Sequence, residues 1–166
     1  MMRQSSSCMA RTLAVIAGLV ALLSASAASA QGVGFVAGGT IDPEQFYAGT
    51  FFETPPIGGT IHIRPGIDGS WGQGVSIAAI NLDIITRAQI GSGWQFYTGG
   101  GPTVSILRLS GNDFPNGVAN NEVTGGFTAL FGFIHPKGFL LEVRYGSTAS
   151  GPTLKFGAGV QVGKRQ

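Results

Sequence analysis

Residues 139–146 read Phe-Leu-Leu-Glu-Val-Arg-Tyr-Gly, and their alternation decides the fold class. Phe139, Leu141, Val143 and Tyr145 fall on one face of an extended strand, and Leu140, Glu142, Arg144 and Gly146 fall on the other. Thr60 to Asp68 repeats the design, with Ile61, Ile63, Pro65 and Ile67 opposing His62, Arg64, Gly66 and Asp68. From Ile77 to Arg87, Ala78, Ile80, Leu82 and Ile84 oppose Asn81, Asp83 and Arg87, with Ile77, Ala79 and Ile85 on the polar side. Fainter versions occupy Val33 to Ile41, Gln45 to Glu53, Gly93 to Leu107, Glu122 to Ile134 and Thr153 to Val162. Eight strands are therefore expected, and the fold class is all-β.

The connections between these strands also alternate. Pro55 to Gly59, Gly91 to Gly93 and His135 to Gly138 are tight and rich in turn formers. Gly69 to Ser76, Ser110 to Asn121 and Ser147 to Pro152 are longer on average and mostly polar, although the first connection of this set, Asp42 to Glu44, is short. Short turns at one end, longer loops at the other and an even strand count predict an eight-stranded antiparallel up-and-down transmembrane barrel. Ser110 to Asn121, which holds the turn pair Asn116 and Gly117, is the loop expected to be most exposed outside the cell.

The first 30 residues differ from the rest. Arg3 and Arg11 precede an uncharged run, Leu13 to Leu23, and Ala28, Ser29 and Ala30 offer an A-x-A cleavage site. This is the pattern of a secretory signal peptide cleaved after Ala30, leaving residues 31–166 as one barrel domain. A permanent membrane helix needs about 20 apolar residues, and Ser24 to Ala30 is too polar and too small to extend the run. Cys8 precedes the apolar core, where a lipidated cysteine must follow it, so it leaves with the signal.

Composition narrows the function. Without the signal the chain has no cysteine, and His62 and His135 are its only histidines, too few for a zinc centre without carboxylates. Ten Lys plus Arg face eight Asp plus Glu, and removing Arg3 and Arg11 leaves eight against eight. Nucleic-acid binding needs a clustered basic face, and only Lys164 and Arg165 are adjacent. Alternation alone does not say which stripe faces outward, because a soluble barrel and a membrane barrel exchange the two faces. Charge density does: charged residues make up 11% of the chain, whereas a soluble domain carries about 25%.

The polar stripes supply Glu53, His62, Arg64, Asp68, Asp83, Arg87, Glu142, Arg144 and Lys155, which are expected inside the barrel as a mutually neutralising network. His62 is expected to pair with Glu53 or Asp83. Pairing through Gly69 to Ser76 sets Arg64 across from Asn81 with Asp83 one diagonal step away. Pairing through Ser147 to Pro152 sets Arg144 opposite Lys155 with Glu142 diagonal to the lysine. Phe52, Trp94, Phe96, Phe133 and Phe139 are expected outward near the periplasmic strand ends, and Phe46, Phe127, Tyr145 and Phe156 near the external ends, as two lipid-boundary girdles.

The signal, the eight amphipathic strands, the Gly-rich strand interiors and the last hairpin, GFLLEVRYGSTASGPTLKFGAGVQVG, resemble the small outer-membrane β-barrel family of OmpA and OmpX type. That resemblance implies outer-membrane lipid as surroundings and the barrel-assembly machinery as a partner during insertion. Family members commonly end in an aromatic residue read by that machinery, whereas this sequence closes Val160, Gln161, Val162, Gly163, Lys164, Arg165, Gln166. Phe156 is then the candidate internal anchor.

Other motifs carry little. Gly32, Gly34 and Ala37 match a dinucleotide fingerprint but lack the flanking strand and helix it requires, and Gly99 to Gly101 lacks the Lys and Ser/Thr of a phosphate loop. Asn112, Asp113, Asn116, Asn120 and Asn121 fit no calcium-loop spacing. No cofactor or metal is implied. Some barrels of this family act on lipids, but a lipid A site belongs near the outer leaflet, while His62 comes early in an outward-running strand and His135 lies in a periplasmic turn. The expectation is a monomeric, non-catalytic outer-membrane barrel with a structural or surface-interaction role and no open pore. The alternatives are a soluble periplasmic or secreted barrel binding a small apolar ligand and a lipid-modifying outer-membrane enzyme.

Overall fold

A computed structural model describes residues 32–42, 44–72, 75–91, 93–109, 121–148 and 151–163. The expected signal peptide and most of the Ser110 to Asn121 loop lie outside the described residues. Eight strands are present: β1 Gly32–Ile41, β2 Gln45–Glu53, β3 Ile61–Gly72, β4 Val75–Ile90, β5 Trp94–Leu109, β6 Asn121–Ile134, β7 Phe139–Thr148 and β8 Gly151–Val162. Each pairs antiparallel with its sequence neighbour, and β8 returns to β1, so the sheet closes with no free edge.

The register fixes the width of the barrel. Following cross-strand partners once round from Gly34 leads through Phe51, Gly66, Asn81, Thr103, Gly126 and Thr148 to Gly151. Gly151 lies four residues before Lys155, the partner of Thr40, so it comes level with position 44, ten residues beyond the start. That stagger tilts the strands, and eight of them leave an interior just wide enough for side chains.

Two loops are shorter than the sequence suggests. β3 continues to Gly72 and β4 begins at Val75, so most of Gly69 to Ser76 is strand, and Thr148 pairs with Gly151 inside the expected Ser147 to Pro152 loop. The turn formers there still keep period two, with Ser70 buried and Trp71 exposed, so ladder hydrogen bonds continue past the apolar band. The centre of the β3–β4 turn moves with them. Arg64 consequently sits directly opposite Asp83, and Asn81 opposite Gly66, correcting the expected Arg64–Asn81 pairing.

At the other end the tight turns close as expected. The Ile57 amide donates to the Ile61 carbonyl at 2.7 Å and the His135 amide to the Phe139 carbonyl at 2.8 Å. Asp42 takes a φ of 54° in the short β1–β2 connection, a left-handed conformation that Asp tolerates better than most side chains.

The two faces of the sheet are sorted by polarity. Facing outward are Phe35, Ile67, Ile80, Leu82, Ile84, Val104, Phe131 and Leu141, all exposed. Buried inside are Glu53, Arg64, Asp83, Glu142, Arg144 and Lys155, together with Tyr47, Phe51, Ile85, Tyr97, Leu130, Ile134 and Leu140. Phe46, Phe127, Tyr145 and Phe156 stand exposed on the half nearest the β1–β2 and β7–β8 turns, and Phe133 and Phe139 on the other. Phe96 packs against Phe133 with ring centroids 5.5 Å apart, and Trp94 meets His135 edge-on at 4.8 Å.

Candidate functional site

The lumen is stacked in three polar layers. Nearest the start of β1 and the end of β8, Glu53 of β2 receives Arg87 Nη2 at 2.6 Å and lies 3.3 Å from His62 Nδ1. Arg87 also donates to Gln95 at 3.1 Å and to Gln161 at 2.9 Å, while His62 Nδ1 lies 2.9 Å from the Thr54 carbonyl. His62 thus meets Glu53, one of its two expected partners. Strand pairing explains the assembly, because β2, β3, β4, β5 and β8 each bring an inward residue to this level.

The middle layer is the most buried. Glu142 of β7 forms an ion pair with Arg64 Nη2 at 2.7 Å and accepts from Arg144 Nε at 3.3 Å and from the Tyr97 hydroxyl at 3.1 Å. Arg144 turns its other end to Asp83 at 3.0 Å, and Asp83 also accepts from Thr128 at 2.8 Å. The Arg64 guanidinium lies 3.4 Å above the Phe51 ring, a cation–π contact that adds to its carboxylate pairing. Each acid here answers more than one donor, which offsets the desolvation of a buried charge.

The outer layer joins Lys155 of β8 to Asp68 of β3 across the lumen. Asp68 accepts from Asn81 Nδ2 at 2.7 Å, and Asn81 accepts from Thr103 at 2.8 Å. Arg144 does stand opposite Lys155 in the ladder. The acid that answers Lys155 is Asp68, however, and Glu142 is taken up by Arg64 and Arg144, which corrects the expected Glu142–Lys155 association. The reason is depth: Glu142 pairs with Gly157, one inward step further from the β7–β8 turn, where Arg64 reaches it from across the barrel.

All nine residues singled out in the sequence point inward, and the four acids Glu53, Asp68, Asp83 and Glu142 match the four bases Arg64, Arg87, Arg144 and Lys155. The interior aromatics were not singled out. Tyr47, Phe51 and Tyr97 each lie over a glycine: a Cβ at Gly157 would strike the Tyr47 hydroxyl, at Gly34 the Phe51 ring, and at Gly132 the Tyr97 ring. Large and small inward residues interlock in this way and fill the lumen. The available signal was parity, since Tyr47 and Phe51 share a face with Gln45 and Glu53.

At the end bounded by the β1–β2, β3–β4 and β7–β8 turns the lumen widens into a cavity of about 270 Å³. Polar residues such as Asn81, Thr103, Thr128 and Lys155 share its lining with the apolar Ile77, Ala79 and Leu107.

In three dimensions the chain is similar to Neisserial surface protein A (NspA), at 12% identity and a TM-score of 0.61, over 80% of this chain and 94% of that one. It is also similar to the N-terminal β-barrel domain of Pseudomonas aeruginosa OprF, at 13% identity and a TM-score of 0.57, over 80% of this chain and 98% of that one. The fold is that of the small eight-stranded outer-membrane barrels. No family model and no curated protein matches the chain by sequence.

Proposed function

We propose that this chain is a non-catalytic outer-membrane barrel, exported by its first 30 residues, with a closed charged lumen and a structural or surface-interaction role at its external end. One observation carries this reading: the polarity is inverted relative to a soluble protein. Ile84 and Leu141 are 58% and 55% exposed, whereas Glu53 and Asp83 are each 1% exposed. An outside of this kind is stable in hydrocarbon, and the closed ladder satisfies the backbone polar groups there. A soluble carrier of an apolar ligand needs the opposite arrangement, an apolar cavity within a charged coat. The three layers of paired side chains favour a plug over a pore, because ions would have to displace buried, ion-paired side chains to pass.

The test is folding of the mature chain from urea into phospholipid vesicles, followed by gel migration with and without heating and by planar-bilayer recording. Compact, heat-modifiable protein with no steady large conductance is expected. A stable open channel would remove the closed-lumen part, and failure to enter vesicles with full solubility in buffer would remove the membrane part.

A further inference from the structure

The outward face of β1 to β5 is not uniformly convex. Ala48, Gly69 and Ala78 place small residues side by side, and the larger Phe35, Ile67, Trp71, Ile80 and Ile106 rise around them, enclosing an apolar groove of about 580 Å³. The groove runs along β3 from Ile67 to Trp71, about 14 Å at the usual strand rise. Its upper end meets a cross-strand row in which Phe46 pairs with Trp71, Trp71 with Ser76, and Ser76 with Arg108. Phe46 and Trp71 stack with centroids 6.5 Å apart. Arg108 stands two residues beyond Ile106 on the same outward face, exposed, and makes no ion pair with any described residue.

We propose that this groove is a binding site for an anionic, phosphate-bearing lipid of the external leaflet, with one acyl chain between Phe35, Trp71 and Ile106 and the phosphate on Arg108. The inference rests on the outer-membrane reading above. Charge complementarity selects the occupant: every acid on β2 to β4 points into the lumen and is paired there, Glu122 of the adjoining β6 stands opposite Leu107 on the inward parity, and Arg108 makes no ion pair with any described residue, so an outward cation is open to an anion. The aromatic row marks headgroup depth, because Trp and Phe girdles sit where hydrocarbon gives way to headgroups. A guanidinium binds phosphate through a planar fork, and the apolar groove below holds the chain that such a headgroup carries.

The two tryptophans make the test internal to the protein. Trp71 lines the groove and Trp94 lies at the opposite end of the barrel. The full mature chain, as Trp94→Phe or Trp71→Phe, is folded into phosphatidylcholine vesicles containing an equal fraction of brominated-chain phosphatidylglycerol or brominated-chain phosphatidylcholine. Trp71 should be quenched by the anionic lipid with about fivefold higher apparent affinity, the shift expected for one basic side chain near the surface. Trp94 should show no such preference. Arg108→Gln should remove the preference at Trp71, and Ala78→Leu, which fills the groove floor, should reduce quenching by either lipid. Equal quenching of Trp71 by both lipids overturns the proposal while leaving the membrane reading intact. Shielding of Trp71 from both lipids while Trp94 is quenched also overturns it, and identifies a second protein copy as the occupant. If neither tryptophan is quenched by either lipid, the barrel is not in the bilayer and both readings fall.

Discussion

Glu142→Ala removes the acid on which the middle layer converges. Arg64, with a side chain 2% exposed, loses its 2.7 Å partner, the Tyr97 hydroxyl is left with the Leu141 carbonyl at 3.5 Å, and Arg144 keeps Asp83 as its acidic partner among the described residues. Breaking a buried pair by deleting one member costs about 3–5 kcal/mol, because the remaining charge is stranded. At a urea slope near ~2 kcal/mol per molar, the unfolding midpoint falls by about 2 M. The assay is reversible urea unfolding in vesicles, followed by tryptophan fluorescence and checked by heat-modifiable migration. Combining Glu142→Ala with Arg64→Met replaces the stranded cation by an apolar chain of similar length and should recover about half the loss. Combining it with Lys155→Met should recover nothing, since Lys155 is held by Asp68. A midpoint for Glu142→Ala within error of wild type, or equal rescue by the two second substitutions, would refute the assignment of partners.

Three further outcomes follow from the same geometry. Val143→Arg, outward at the middle of β7, should cost about 2–4 kcal/mol of folding into lipid, against about 0–1 for Ile41→Arg at the external end of β1; equal costs in vesicle refolding would mean that the lipid-facing stripe is wrongly placed. Gly132→Ala sets a methyl into the Tyr97 ring and the Leu141 carbonyl and should destabilise by about 1–3 kcal/mol. Gly125→Ala, whose Cβ meets nothing within 4 Å, should be neutral or slightly stabilising in the same titration. Planar bilayers should show no steady large conductance for wild type, and Arg144→Ala together with Glu142→Ala should raise the frequency of brief openings if the middle layer is the plug; unchanged recordings would place the constriction elsewhere.

The strands were legible because a closed barrel imposes period two without interruption, and Phe139 to Gly146 carries it with a charged pair on one face. β2 was read from Gln45 to Glu53, as it stands. Turn centres were harder, because Gly69, Ser70 and Gly72 are turn formers that also fit a ladder. A one-residue displacement of the centre shifts register by two, which moved Asp83 from diagonal to opposite Arg64. The identity of the inward charges was readable from parity, but their partners across the lumen were not. Lys155 meets Asp68 only because the ten-residue stagger brings β8 and β3 to the same depth, and stagger is a property of all eight registers together. The groove is not legible in the sequence for a related reason: Ala48, Gly69 and Ala78 are far apart in sequence and become neighbours through two ladders.

The central claim is that the apolar outside faces lipid in the outer membrane, and its most direct measurement is the location of the protein in cells. Density fractionation should place the mature chain, lacking residues 1–30 by mass, in purified outer membranes, where it resists extraction by high salt and migrates faster on gels before heating than after. Recovery of the protein in the soluble periplasmic extract, with migration unaffected by heat, would contradict the account.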